Sequence, residues 1–364
     1  MKRMNKLETS ERNELNRKYP LLDLAQYIAS LFVILIHCGR LAESDFLHFT
    51  LKVFLGRLAV PLFLVTAGYF FYLKQRENPK YARSYFKRQW QVYFFWSMIY
   101  LPYGIWFVKS MPLDPKLYLA AVPVGLGYLG FCYHLWYFPA LFLGFFLVRK
   151  LLKRLNYRIV FCICFLLFTL GATETYIGYL QGTKIQAIYT LYQHLFLTTR
   201  NGLFYTPIFI LIGFFLASRS IEKSFSKRHR WQYLVASLLL LAIESLIVCS
   251  KQGTDKNFLF SLVPVSLFSM DLLLHAKIFT NRDFSHLRKA SQSLYFLHPI
   301  FLESSKWTFK HLGFAELQGI PLFLITFALT TLSVRILAGI KVRWADISRA
   351  KKFTNNLEGE QDVL

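Results

Sequence analysis

The sequence predicts an all-α, polytopic transmembrane bundle of about ten helices with both termini in the cytosol, and three observations carry this. Apolar runs of about 20 residues, the length that crosses a bilayer, recur along the chain. Hydrophobic residues make up 55% of the 364 residues, with 37 Phe, and only 17% are charged, against about 25% in soluble domains. Lys and Arg gather in alternate connecting segments, as they do on the cytosolic side of membrane proteins. One membrane domain, 20–341, is expected between a cytosolic N-terminal tail, 1–19, and a cytosolic C-terminal tail, 342–364.

Taken in order, the expected spans are 21–39, 51–73, 89–108, 133–148, 159–180, 202–217, 231–249, 258–275, 291–305 and 319–340. The polar segment before the first span makes a cleaved signal peptide an unlooked-for feature. The fourth span is preceded by YLAAVPVGLGYLGF, rich in Gly with one Pro, which reads as a re-entrant or interfacial segment. Basic segments fall at the N-terminus, at Lys74–Arg88, at RKLLKRLNYR, SRSIEKSFSKRHR and AKIFTNRDFSHLRKA, and after Lys341. The intervening segments, such as RLAESDFLHFT and KQGTDKN, are poor in basic residues. Every second loop and both ends are therefore placed in the cytosol. Trp136, Trp231, Trp307 and Trp344 lie near run ends, where interfacial anchors belong.

Composition also bounds function. The net charge of +23 is explained by these orienting loops, so no nucleic-acid partner is expected. The five cysteines lack paired metal spacing, and Cys162 and Cys164 fall in an apolar run, so neither a disulfide framework nor a metal site is expected.

Charged groups inside spans are costly and mark function by default. They are Asp23, His37, Arg57, Glu174, Glu244, Asp271, His298, Glu303 and Arg335. Counting about 1.5 Å per residue from the span ends puts His37, Arg57, Glu174 and Glu244 in the outer half, and Asp23, Asp271, His298 and Arg335 nearer the cytosol. In LLDLAQYIASLFVILIHCG, the residues Asp23, Gln26, Ser30 and His37 share one helical face. A polar stripe on a lipid-soluble helix calls for a protein-lined cavity.

His37 is suited to general-base work on that face, or to a hydrogen bond within the bundle. Arg57, in GRLAVPLFLVTAGYFF, is suited either to an anionic or carbonyl group or to an ion pair with Glu174 or Glu244. Pro61 is expected to kink this helix, and Thr66, Ala67 and Gly68 to let a neighbour approach closely. His134 and Trp136, in YHLWYFPALF, read as outer-face residues, with His134 a solvated neighbour or a ligand for substrate. His298, in SLYFLHPIF, reads as a cap on carbonyls freed by Pro299 or as a site residue.

Together these four segments, spread over about residues 20–340, resemble the acyltransferase 3 family of bacterial inner-membrane proteins. That family's first helix carries an acidic residue, then Arg, ten residues and His. Asp23 and His37 match, and Gln26 stands at the Arg position. Arg57 and Gly68 match the second-helix motif. The pattern is also similar to the membrane half of vancomycin-type serine racemases, with no racemase domain expected after it. The resemblance implies transfer of an acyl group, acetyl foremost, from cytosolic acyl-CoA to a hydroxyl of a cell-envelope glycan or lipid, at the plasma membrane. Acyl-CoA is then a co-substrate, and no cofactor is permanently bound. His37 and Arg57 are the implied catalytic residues. Asp23, Gln26, Ser30, His134, Glu174, Glu244 and His298 are the implied binding residues. Lys87 or Arg88 are the candidates to supply the charge that Gln26 lacks. Two rival readings share these features: a carrier or flippase for a small polar solute, and a non-catalytic envelope assembly subunit.

Overall fold

The computed structural model describes residues 17–337 and 339, except 113, 220–228, 252, 254 and 316. Most of both expected tails, Trp344, and part of the SRSIEKSFSKRHR segment lie outside the described residues. Within them the chain is helical throughout and no strand occurs.

Each of the ten apolar runs falls on a helix. The helices are α1 (Pro20–His37), α2 (Ala59–Glu77), α3 (Tyr81–Ser110), α4 (Tyr137–Leu152), α5 (Tyr157–Tyr176), α6 (Thr206–Arg219), α7 (Arg230–Ser250), α8 (Leu262–His275), α9 (Ser285–His311) and α10 (Gly319–Leu337). Among the described residues, five helical runs are long and apolar enough to cross a membrane: α1, Asp45–Glu77, Tyr157–Tyr179, α7 and α10. α6 and α8 are apolar but shorter. α3 and α9 are long enough at 30 and 27 residues, yet mixed in composition. Part of their polarity faces an internal cavity, through Arg88 and Gln89 on α3 and Ser291 and Gln292 on α9. Large apolar side chains stand exposed on the outside of α3, α5, α7 and α10, among them Phe94, Phe95, Leu166, Leu239, Ile243 and Leu332. Such a surface is stable against lipid and not against water. The chain is a multi-pass membrane protein.

α6 is the centre of the bundle, packed against α2, α4, α5 and α8. Its closest partner is α2, and small residues make the approach possible. A Cβ on Gly68 would meet the Ile210 carbonyl oxygen at 2.6 Å, and one on Gly213 would meet the Tyr69 nitrogen at 2.6 Å. The expected close approach at Gly68 is therefore a backbone-to-backbone contact. Around it the core is aromatic: the Phe145 ring lies tilted at 4.7 Å from that of Phe71, and Phe214 lies 6.0 Å from each. α9 packs along α1, and the Ser291 hydroxyl donates to the Gln26 carbonyl at 2.9 Å.

Pro61 lies inside the helical run Asp45–Glu77, next to the break in its regular hydrogen bonding. It stands in the first turn of α2, where a missing N–H costs least. The break falls just before it, as a π-helix (Thr50–Leu55) and a 3₁₀ turn (Gly56–Leu58) that holds Arg57. The segment before α4 forms a short helix (Tyr118–Val124) and a π turn (Gly125–Leu129) with Leu119 exposed. Trp231 and Trp307 are exposed near helix ends, but Trp136 is buried, because the Arg200 guanidinium covers its ring at 4.8 Å.

Candidate active site

A cavity of about 890 Å³ runs through the bundle, and the helices described above place its two ends. One end collects Arg17, Lys18, Lys74, Arg88, Arg282 and Arg288. The carboxylates lining that end are Asp23 and Asp283. Arg288 lies 3.3 Å from Asp23, and Lys18 donates to Asp283 at 2.8 Å. In the loop before α9, the Lys18 ammonium and the Ser285 N–H hold the Asp283 carboxyl below the usual aspartate range. Six cations against two carboxylates leave this end positive.

The other end holds His37, Arg57, His134, Trp136, Arg200, Tyr205 and Asn257. α1 brings His37 here because it stops directly after that residue: Cys38 is its C-cap, and Gly39 takes the left-handed conformation at φ 74° that turns the chain away. The His37 ring lies 4.4 Å from the Tyr133 ring and 5.8 Å from that of His298, centroid to centroid. His134 is buried, with neither ring nitrogen hydrogen-bonded. It is held by its backbone carbonyl, which accepts from Tyr295 at 2.5 Å, and by the Tyr100 ring at 4.9 Å. Three imidazoles are thus neighbours, His134 and His298 being 5.6 Å apart. Among the described residues, no group of three or more His, Cys, Asp or Glu side chains is placed to hold a metal.

Arg57 does not pair with Glu174 or Glu244. Its guanidinium donates to Asn257 Oδ1 and, at 3.4 Å, to Asp255 Oδ1. Arg200 approaches Asp255 Oδ2 at 3.7 Å. Residues 200, 255 and 257 come from two connections between helices, and none of the three is among the residues singled out in the sequence. A visible signal existed: Arg200 and Asp255 are charges in short segments otherwise poor in basic residues.

Of the nine residues singled out in the sequence, Asp23, Gln26, His37, Arg57 and His134 line the cavity, and four do not. Ser30 is buried and donates to the Tyr27 carbonyl at 2.7 Å. The Glu174 carboxylate accepts from the Thr199 N–H at 2.6 Å and from the hydroxyls of Thr198 and Thr199. Glu244 accepts from the N–H groups of Phe260 and Ser261 at 2.6 and 2.7 Å, and from the Tyr176 and Ser261 hydroxyls. Both glutamates fasten the connections that present Arg200, Asp255 and Asn257. His298 sits behind His37 and His134. Its Nδ1 is 3.0 Å from the Leu294 carbonyl, beside the Tyr295 carbonyl that Pro299 leaves without its usual donor, and its Nε2 is buried without a partner.

His298 also lies at the level of His37, not with Asp23. The reason is a boundary: α9 begins at Ser285, earlier than expected. That puts His298 roughly 20 Å along its helix and His37 roughly 26 Å along α1, at about 1.5 Å per residue. Arg88 lines the cavity and Lys87 does not.

This cavity, with His37 at its end and Arg57 beside it, lies within the stretch that matches a family profile described as an acyltransferase domain, residues 19–338. The chain belongs to the acyltransferase 3 family. It is 31% identical over 288 residues to a serine/alanine racemase of Enterococcus gallinarum, covering 76% of this chain and 40% of that protein. Two amino-acid racemases of Enterococcus faecalis match at 28% over 207 residues (56% of this chain, 28% of the relative) and 24% over 294 residues (77% and 40%). The chain therefore spans at most about two fifths of the length of these curated relatives. No solved structure matches it. Membership of the family supports membrane acyltransferase activity in general.

Proposed function

We propose that the chain transfers an acyl group, acetyl foremost, from cytosolic acyl-CoA to a hydroxyl of a cell-envelope glycan or lipid in the plasma membrane. The ten helices each cross the bilayer in this reading, with both termini in the cytosol. The observation that carries it is the continuity of one cavity from a cluster of six cations to His37. At about 890 Å³ it lies within the range of small-molecule sites, roughly 300–1,000 Å³.

The chemistry follows from that arrangement. The cationic end attracts and holds the phosphates of CoA, with Arg88 and Arg288 on the walls and Asp23 and Gln26 deeper along α1. The thioester extends toward His37. A neutral imidazole takes the proton of the attacking hydroxyl as its oxygen bonds to the acyl carbon. The carbon–sulfur bond then breaks, and the imidazolium returns the proton to the leaving thiolate, giving free CoA and the acyl ester. His134 and His298 wall in the His37 ring, and Arg57 holds the acceptor at the far end.

The test is transfer of radiolabelled acetyl from acetyl-CoA in membranes containing the protein, combined with mass spectrometry of envelope glycans and lipids from a deletion strain. His37→Ala is expected to lose about 10²–10⁴-fold in rate while still folding, the usual contribution of a general base. Undiminished acylation by that variant would refute the role of His37.

A second reading draws on the relatives' names, which describe amino-acid and serine/alanine racemases. The cavity would then carry a small amino acid across the membrane. Serine uptake into vesicles without any acyl donor favours this reading, and its absence alongside acetyl transfer favours the first.

A further inference from the structure

Three charged side chains meet at the far end of the cavity, and their charges do not balance. Arg57 and Arg200 share one carboxylate, Asp255, at 3.4 and 3.7 Å. Close charge-assisted contacts are about 2.7–2.9 Å, so neither guanidinium is tightly paired. Asn257 takes part of the remainder: its Oδ1 accepts from Arg57 and its amide donates to Asp255. The Nε atoms of Arg57 and Arg200 are both buried without a hydrogen-bond partner. Glu174, the nearby acid on α5, is committed to Thr198 and Thr199 and does not line the cavity. One uncompensated positive charge thus remains, on side chains only 14% and 28% exposed. A buried charge without a partner is costly in the resting protein. A fixed anion on a bound ligand would complement it throughout, whereas a tetrahedral oxyanion exists only in passing.

We propose that Arg57 and Arg200 form a binding site for a fixed oxyanion, a carboxylate or a phosphate ester, carried by the hydroxyl compound that enters the far end of the cavity. The substrate class is thus an anionic alcohol. Arg200 is its specificity-determining residue, oriented by the Trp136 ring beneath it. Asp255 acts as a gate on affinity, competing with the ligand for both guanidiniums. The proposal identifies the acceptor of the acyl-transfer reading and rests on it for that name. The binding itself is measured with no donor present, so failure of one does not entail failure of the other.

The test uses the full-length protein in nanodiscs and reads its melting temperature with lactate, glycerol 3-phosphate, and the uncharged methyl lactate and glycerol as controls, all at matched ionic strength. A saturable stabilisation by one or both anions and none by the neutral compounds is expected, and the stronger anion tells carboxylate from phosphate. Arg200→Gln is expected to weaken that binding at least tenfold. Asp255→Asn is expected to tighten it severalfold, an outcome that misfolding cannot produce. Binding that is equal for charged and neutral probes, that survives Arg200→Gln unchanged, or that weakens in Asp255→Asn would overturn the site.

Discussion

His37 lines the cavity beside two histidines with unpaired ring nitrogens. His134 has two such nitrogens and His298 one, all buried. Burial of unpaired polar atoms is uncommon and costs about 1–3 kcal/mol each, so the cluster is held there by the surrounding aromatic rings. Glu174 and Glu244 show the opposite case, carboxylates whose oxygens are fully engaged by N–H and hydroxyl donors. Replacing Glu244 by Ala orphans the N–H groups of Phe260 and Ser261, and is expected to cost roughly 2–4 kcal/mol. Thermal unfolding in detergent measures this, and a melting curve like that of the wild type would show that Glu244 does not fasten the connection. The sequence marked both glutamates as charges within spans but could not show their partners. Those partners sit on connections 16 to 25 residues away, where no periodicity reaches. The Arg57–Asp255 pairing is hidden for the same reason, the two being 198 residues apart.

At the scale of helices, each apolar run located a helix because that signal is local, while the helix Lys184–Phe196 lies outside every expected span. Boundaries carried the errors. α9 starts earlier than its apolar run, since its first turns are polar, and that shift moved His298 to the level of His37. The α2–α6 contact was visible in the small residues Thr66, Ala67 and Gly68, but its partner glycine, Gly213, was not. Gly68→Leu drives a side chain into the Ile210 carbonyl, and is expected to destabilise by about 1–3 kcal/mol or more, the usual cost of overpacking. A lower melting temperature by size-exclusion after heating checks it. On α3, Arg88→Gln is expected to raise the KM for acetyl-CoA roughly tenfold, as the loss of one charge-assisted contact would, with Lys87→Gln leaving it unchanged because Lys87 stands outside the cavity. Equal effects of the two would remove the directional role of Arg88. The tie between Lys18 and Asp283 at the start of α9 adds a pH dependence. Asp283 titrates lower when folded than when unfolded, so its contribution is present above the unfolded aspartate value, about 3.9, and is lost as pH falls through the folded one. The Asp283→Asn variant is expected to flatten the acid limb of the stability profile.

The molecule as a whole joins two features in one bundle: a positive end and a histidine-lined end of a single cavity. Gln26 lies on its wall between them, on the face of α1 that also carries Asp23 and His37. A cysteine at position 26, in a background with the five native cysteines replaced, reports on that passage. Gln26→Cys is expected to react with a membrane-impermeant maleimide supplied from the cytosolic side, and acetyl-CoA to slow the reaction at least tenfold. A thiol that stays unreactive from that side, or that reacts equally fast with and without acetyl-CoA, would contradict it.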